Sequence, residues 1–349
     1  MSVDLSKLVS RRKIMLDELN NKIIAIDAYN VLYQFLSIIR GPDGTSLMDS
    51  HGNVTSHLSG IFYRNIELMT YGIKPIYVFD GIPSILKQKT IEARMQRRQE
   101  AHDAWKEAVA KGDMEAAKTH AQGSTRMTKE IVASAKKLLE YMGVPYISAP
   151  SEGEAQASHM CKKGLVYAVG SQDYDTMLFG APNVVRNLTI SGKRKLPGKN
   201  IYVNVEPELM SFKDTLESLG LNQKQLIWIG IMLGTDFNAG IKGVGPKTAL
   251  KVAKSAKTIE DIEKYVNEKK ESFELDPREV EKLFLDPEVK DVSKEELNSL
   301  MNQRPNHDKI IEFMCKEHDF SEDRIGKYSA KLSGIRVSSK QSGIDNWIK

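Results

Sequence analysis

KIIAIDA (residues 22–28) and PIYVFDG (residues 75–81) decide the fold. Each is a short apolar run closed by an aspartate, the pattern of a buried strand bounded by a turn. Between them, residues 54–71 carry Leu58, Ile61, Phe62, Ile66 and Met69 at helical spacing. Strand, helix and strand in this order predict a βαβ unit and hence a parallel sheet. VPYIS (144–148), LVYAVG (165–170) and NVVRNL (183–188) supply further strands. The expected fold class is α/β: a central, mostly parallel twisted sheet flanked by helices.

Acids recur where these runs end. Asp27 and Asp80 close the first two strands; Glu152 and Glu154 follow VPYIS; Asp173 and Asp175 follow LVYAVG; Asp236 stands alone in LGTDF (233–237). One aspartate at a strand end is more often a cap than a ligand. Four strand-end clusters are harder to attribute to chance, because the carboxyl ends of parallel strands converge on one crevice. Carboxylates gathered there repel one another unless cations lie between them, and oxygen-only ligands suit Mg²⁺ or Mn²⁺. The spacing therefore predicts a metal site and phosphate chemistry.

Composition is compatible with that reading and excludes others. The 349 residues carry a net charge of +4; the seven acids hold −7, which leaves +11 on the rest of the chain. A basic body around an acidic pit suits a bound polyanion. No apolar run is long enough to span a bilayer, and the charged start MSVDLSKLVSRRK lacks a signal-peptide core. Two cysteines, Cys161 and Cys315, make no disulfide framework, so an intracellular setting is expected. There is no HExxH or paired Cys–His spacing for zinc, and no GxSxG for a nucleophilic triad.

Other segments carry their own signals. From Ile85 to Ala117 the chain is rich in Lys, Arg, Glu, Gln and Ala with few large apolar residues. High helix propensity with a thin apolar face predicts an exposed helical insertion, followed by a return helix near 125–142. Lys87, Arg94 and Arg98 lie at i, i+7 and i+11 on roughly one face of it, just beyond Asp80. Residues 191–200, SGKRKLPGKN, read as a basic turn-rich loop, and the pattern after Glu206 reads as helical. LNQKQLIWIGIMLG (221–234) is an apolar helix, and IKGVGPKTALKVAKSA (241–256) opens a second one. Gly243 and Gly245 let a phosphate approach the backbone, Pro246 suits a first helical turn, and Lys247, Lys251 and Lys254 form one basic stripe. Pro246 separates Gly245 from Lys247, so this is no Walker A loop. The chain ends in a basic, Ser-rich stretch and QSGIDNWIK, whose Gln341, Ile344, Trp347 and Ile348 read as a short motif that folds onto a partner. The expected organisation is one domain over 1–330, with the sheet core in 20–80 and 144–236, a helical arch at about 84–130 and a helix-turn-helix at about 222–256. A flexible tail follows over 331–349.

Four motifs in this order, FDGIP (79–83), PSEGEAQA (150–157), SQDYD (171–175) and LGTDF followed by GVGPKTA, resemble the structure-specific 5′ nucleases, in particular the archaeal form of the flap endonuclease branch. The resemblance runs from about residue 4 to the terminus. It implies a 5′ flap endonuclease of DNA replication and repair, with associated 5′ exonuclease activity. It implies one Mg²⁺ on Asp27, Asp80, Glu152 and Glu154 and a second on Asp173, Asp175 and Asp236, with Glu154 reaching toward both and Mn²⁺ able to substitute. Lys87 and Arg94 then contact the scissile phosphate and Tyr33 stacks a base of the cleaved strand. Arg40 and Arg64 face DNA, as does the GVGP turn, which takes a K⁺ ion through backbone carbonyls; Arg98 and the lysines of the turn are DNA contacts expected from their spacing. Gln341, Ile344, Trp347 and Ile348 bind the replication sliding clamp. A monomer of the cytoplasm or nucleoid, without a membrane partner, completes the expectation. The competing readings are a related 5′ exonuclease, a bubble-cutting repair nuclease, a ribonuclease on a related metal-acid sheet and a non-catalytic branched-DNA scaffold.

Overall fold

In the computed structural model KIIAIDA and PIYVFDG form neighbouring parallel strands, with Asp27 in register with Val78. The structure describes residues 3–41, 43–190, 192–195 and 202–344. Among these the strands are β1 (Arg11–Lys13), β2 (Ile23–Asp27), β3 (Lys74–Phe79), β4 (Tyr146–Ser148), β5 (Ala168–Gly170), β6 (Asn183–Arg186), β7 (Gly192–Lys195), β8 (Tyr202–Val205) and β9 (Glu208–Ser211). The main sheet has the order β1-β9-β6-β5-β2-β3-β4. β6, β5, β2, β3 and β4 run parallel, β9 pairs antiparallel with β6, and β1 pairs antiparallel with β9.

The order reverses at β2. From it the chain moves outward to β3 and β4, then returns to the other side for β5 and β6. Such a switch point opens a crevice at the carboxyl ends of the strands. Here it lies between β2 and β5. Ile26 is in register with Gly170, so Asp27 and Ser171 leave the sheet at the same level.

Both faces are covered, as period-2 alternation along buried strands requires. Ile24, Ile26, Tyr77, Phe79 and Val185 pack on one face under α1 (Ala28–Ile38), α2 (Ser56–Thr70), α5 (Lys129–Tyr141) and the C-terminal helix (Glu322–Ile344). Ala25, Ile76, Val78, Val169 and Val184 pack on the other under α6 (Gly153–Lys162), α7 (Asp175–Leu178), α9 (Gln223–Leu233) and α12 (Pro277–Leu285). Between α2 and α5 the chain leaves the sheet as α3 (Gln88–Ala110) and α4 (Met114–Gly123). Only Ala108 of α3 is buried, as the thin apolar face predicts. α4 folds back on α3, and the foot of the pair rests on the turn after α1, where Trp105 Nε1 donates to the Asp43 carbonyl at 3.4 Å. α8 (Phe212–Leu219) follows β9, and α10 (Pro246–Ser255) and α11 (Ile259–Glu268) follow the GVGP turn.

Four expectations need correction. The βαβ crossover contains α1 as well as α2; Asp27 caps α1 by accepting from the Asn30 amide. The basic 191–200 segment is partly strand, since Gly192–Lys195 pairs with Tyr202–Val205. ELMS, read as helical, is the strand β9, because its partner β6 offers it an edge. The tail boundary at 331 falls inside the C-terminal helix, where Leu332 is fully buried and holds the helix to the core. No helix among the described residues is long and apolar enough to cross a membrane.

Candidate active site

Six of the seven predicted acids, Asp27, Asp80, Glu152, Glu154, Asp173 and Asp236, line one cleft at the switch point. Asp175, 2% exposed, lies beneath it, where its Oδ1 accepts the Val3 amide at 3.2 Å. Three of the acids are held by contacts of the loops that carry them. Asp27 is the N-cap of α1. Asp80 Oδ1 accepts the Gly153 amide at 2.7 Å, which ties the end of β3 to the start of α6. Asp236 sits in a turn locked by Thr235 Oγ1, which donates to Asn238 Oδ1 at 2.8 Å, and by Asn238 Nδ2, which donates to the Ile231 carbonyl at 2.8 Å.

Gly81 explains the FDG motif. A Cβ there would stand 2.2 Å from the Ala149 carbonyl oxygen and 2.3 Å from that of Pro150. Its amide donates to the Ser151 carbonyl at 2.7 Å. Only glycine lets the two acidic loops meet this closely.

Oxygens of Asp27, Glu154 and Asp173 lie within 4.8 Å of one another. Burial, then Asp80, holds Asp27 well above the ordinary carboxylate range. Burial, then Asp173, does the same to Glu154. Asp80 is pushed up to about 6 by burial and by Glu152. Asp175 is pushed up to about 7 by burial and by Asp236. Buried like charges at this spacing call for a cation. Glu152 Oε1 is buried without a hydrogen-bond partner. An all-oxygen donor set of this kind fits a hard divalent ion. The three acids that approach most closely come from both expected ligand sets, with Glu154 between them.

Two cations enter from the arch. Lys87 Nζ donates to Glu152 Oε2 at 2.5 Å and lies 3.6 Å from Asp236. Burial pulls its pKa down, but Glu152 and Asp236 outweigh that and hold the ammonium charged. Arg94 donates to Asp236 Oδ1. Arg98 stacks its guanidinium 4.9 Å from the centre of the Tyr33 ring, and both line the cleft.

The remaining predicted residues lie elsewhere. Gly243 has φ +75°, Gly245 caps α10 with open space around its Cα, and Lys247, Lys251 and Lys254 are exposed. Arg64 pairs with Glu67 at 2.8 Å. Arg40, expected to face DNA, is half-buried and directs its donors to protein. Its Nε donates to the Leu36 carbonyl, one terminal nitrogen to the Gly44 carbonyl and the other to Thr125 Oγ1, at 2.7–2.8 Å. It fastens the end of α1 to the foot of the arch. Gln341 and Ile344 fall in the last turns of the C-terminal helix, while Trp347 and Ile348 lie outside the described residues. Sequence reasoning missed Asn30, Ser171, Gly81 and Lys136; of these Asn30 and Lys136 line the cleft. Asn30 stands three residues after a strand-end aspartate, the one local signal that could have found it.

Comparison with known proteins gives the family. Residues 3–101 match the family described as the XPG N-terminal domain, and residues 143–236 match the XPG I-region. All seven acids lie within these two matches. The chain is 48% identical to flap endonuclease 1 of Pyrococcus furiosus over 350 residues, covering 100% of both chains. It is 47% identical to flap endonuclease 1 of Methanosarcina acetivorans, covering 99% of this chain and 100% of that one. The solved structure of flap endonuclease-1 from Methanococcus jannaschii superposes with a TM-score of 0.74 at 38% identity, covering 97% of this chain and 99% of that one. Full-length identity at this level, on a fold whose switch-point crevice gathers the acids, means that the chain belongs to the flap endonuclease 1 family of 5′ flap nucleases.

Proposed function

We propose that the chain cleaves 5′ flaps in branched DNA by two-metal phosphodiester hydrolysis, with Mg²⁺ as the ion used and Mn²⁺ as a substitute. The observation that carries this reading is the oxygen cluster of Asp27, Glu154 and Asp173 in the cleft. Asp27, Asp80, Glu152 and Glu154 would hold one ion and Asp173, Asp175 and Asp236 the other, with Glu154 shared between them. When bound, the ions supply an activated water and Lewis-acid charge on the scissile phosphate. Lys87 and Arg94 add positive charge where the transition state gains negative charge. Tyr33, backed by Arg98, stacks a base of the strand to be cut. Unpairing the end of that strand costs about a few kcal/mol, by analogy with base flipping.

Selection rests on shape. The arch over the cleft admits a free 5′ end, and the Lys247, Lys251 and Lys254 stripe grips the duplex by its phosphates without reading sequence. Backbone left open at Gly243 and Gly245 supports both a phosphate contact and a K⁺ ion at the turn. Gln341, Ile344, Trp347 and Ile348 would bring the enzyme to a replication sliding clamp, which places the reaction in lagging-strand flap removal and repair.

The test is cleavage of matched flap, gap, nick and blunt substrates with and without Mg²⁺. Flap cleavage strictly dependent on the ion supports the reading; equal cutting in a chelator overturns it. Asp175→Ala should bind the flap and fail to cut it. Removal of residues 341–349 should abolish clamp binding and spare cleavage of oligonucleotide flaps.

A further inference from the structure

Asn30 joins the two strands that frame the crevice. It is the third residue of α1, directly after β2. Its backbone amide donates to Asp27 Oδ1 at 3.0 Å. Its side-chain Nδ2 donates to Asp173 Oδ2, beyond β5, also at 3.0 Å. One residue thus touches two members of the three-acid cluster. The third member, Glu154, is held in the same manner, since Ser171 Oγ donates to its Oε1 at 2.9 Å and accepts the Asp173 amide at 3.1 Å. Each carboxylate of the cluster therefore takes a hydrogen bond from a neutral donor.

The chemistry of the donor matters. A lysine or arginine at this position would neutralise the carboxylates and compete with a bound cation. A carboxamide orients them and leaves their charge intact. Hydrogen bonds to the ionised form also favour that form, against the burial that opposes it. Partners of this kind, one step removed from a metal, govern affinity through ligand orientation.

We propose that Asn30 is a positioning residue for the cleavage reaction, its carboxamide fixing Asp173 against Asp27 so that the two strand ends present one divalent-cation site. The proposal rests on the acids being metal ligands. It assigns Asn30 no contact with DNA.

The experiment measures Mn²⁺ binding to the full chain without DNA, by calorimetry and by the metal-induced rise in melting temperature. Asn30→Ala and the near-isosteric Asn30→Leu should raise the half-saturating Mn²⁺ concentration by about 10- to 100-fold. Their kcat on flap DNA should fall while KM stays within about twofold, and saturating Mn²⁺ should recover part of the rate. Asn30→Gln, which keeps a neutral donor, should recover part of the affinity, and it remains informative if the leucine variant does not fold. Half-saturation unchanged in Asn30→Ala would overturn the proposal, as would a glutamine variant no better than alanine. Asp173→Asn is the control for the underlying reading. If wild type binds no Mn²⁺, or if Asp173→Asn binds it equally well, the metal site itself has failed; if only the Asn30 variants are silent, the fault lies with Asn30.

Discussion

Lys87 Nζ stands 2.5 Å from Glu152 Oε2, although 65 residues separate the two. The contact brings the base of the arch to the acidic loop before α6, so a cation from one motif reaches the acids of another. Its position predicts a role in the chemical step more than in holding DNA. Lys87→Ala should slow single-turnover flap cleavage by about 10²- to 10³-fold, as for loss of one transition-state donor. Flap affinity should stay within about threefold, because phosphate gripping lies mainly with other basic groups. Lys87→Arg should recover part of the rate. Rate and affinity falling together would place Lys87 in the DNA footprint instead.

Gly81 is a steric requirement of the site. An alanine Cβ would meet the carbonyls of Ala149 and Pro150 at 2.2 and 2.3 Å. The backbone must separate, which pulls Asp80 from the Gly153 amide now 2.7 Å away. Gly81→Ala should destabilise the fold by about 1–3 kcal/mol, as overpacking does. It should also weaken Mn²⁺ binding, since Asp80 moves. Denaturant melts and metal titration check the two effects; wild-type values in both would show that the loops need not meet.

The acids make stability depend on pH in a definite direction. Asp80 and Asp175 are held near about 6 and about 7, against about 3.9 in an unfolded chain. A carboxyl group raised on folding contributes stability below the unfolded value and loses it as pH rises through the folded value. The metal-free protein should therefore lose stability progressively between about pH 4 and 7. Added Mg²⁺ should raise the melting temperature most at and above pH 7, where the acids are ionised. Melts at several pH values with and without the ion read this directly. A metal-free melting temperature flat across that window would remove the like-charge crowding from the account.

Most of the clustered acids could be read from sequence because they follow strands, and parallel strands send their ends to one place; Asp236 instead follows the helix α9. Gly81 could not be read, and Asn30 offered only its spacing from Asp27, since their roles depend on what another strand's end brings near. β1 is the extreme case: Arg11, Arg12 and Lys13 are all exposed, and nothing in RRK marks a strand until β9 lies beside it. β9 in turn takes its form from the β6 edge. The length of the C-terminal helix was obscured by serines, although Ile325, Leu332 and Ile335 keep a helical spacing on its packed side. The protein partners of Arg40 escaped the sequence for a related reason. A basic residue near an expected DNA face reads as a contact until the Gly44 carbonyl and Thr125 are seen to receive it.

Arg40 and Lys251 therefore make a discriminating pair. Lys251 is exposed on α10 in line with Lys247 and Lys254, beyond the open backbone of the GVGP turn. A lysine that neutralises one phosphate releases about one counterion, so its removal should flatten the log–log salt dependence of binding by about 1. Lys251→Ala should weaken flap, nick and duplex binding alike, since a phosphate contact carries no sequence information. It should leave kcat unchanged at saturating DNA. Arg40→Ala should behave in the opposite way. Its three donors hold protein, so the loss should appear as about 1–3 kcal/mol of stability, with the salt slope intact. Binding titrations across a salt series and denaturant melts of both variants separate the roles. A flattened slope for Arg40→Ala would return that residue to the DNA face, and an intact slope for Lys251→Ala would take the α10 stripe off it.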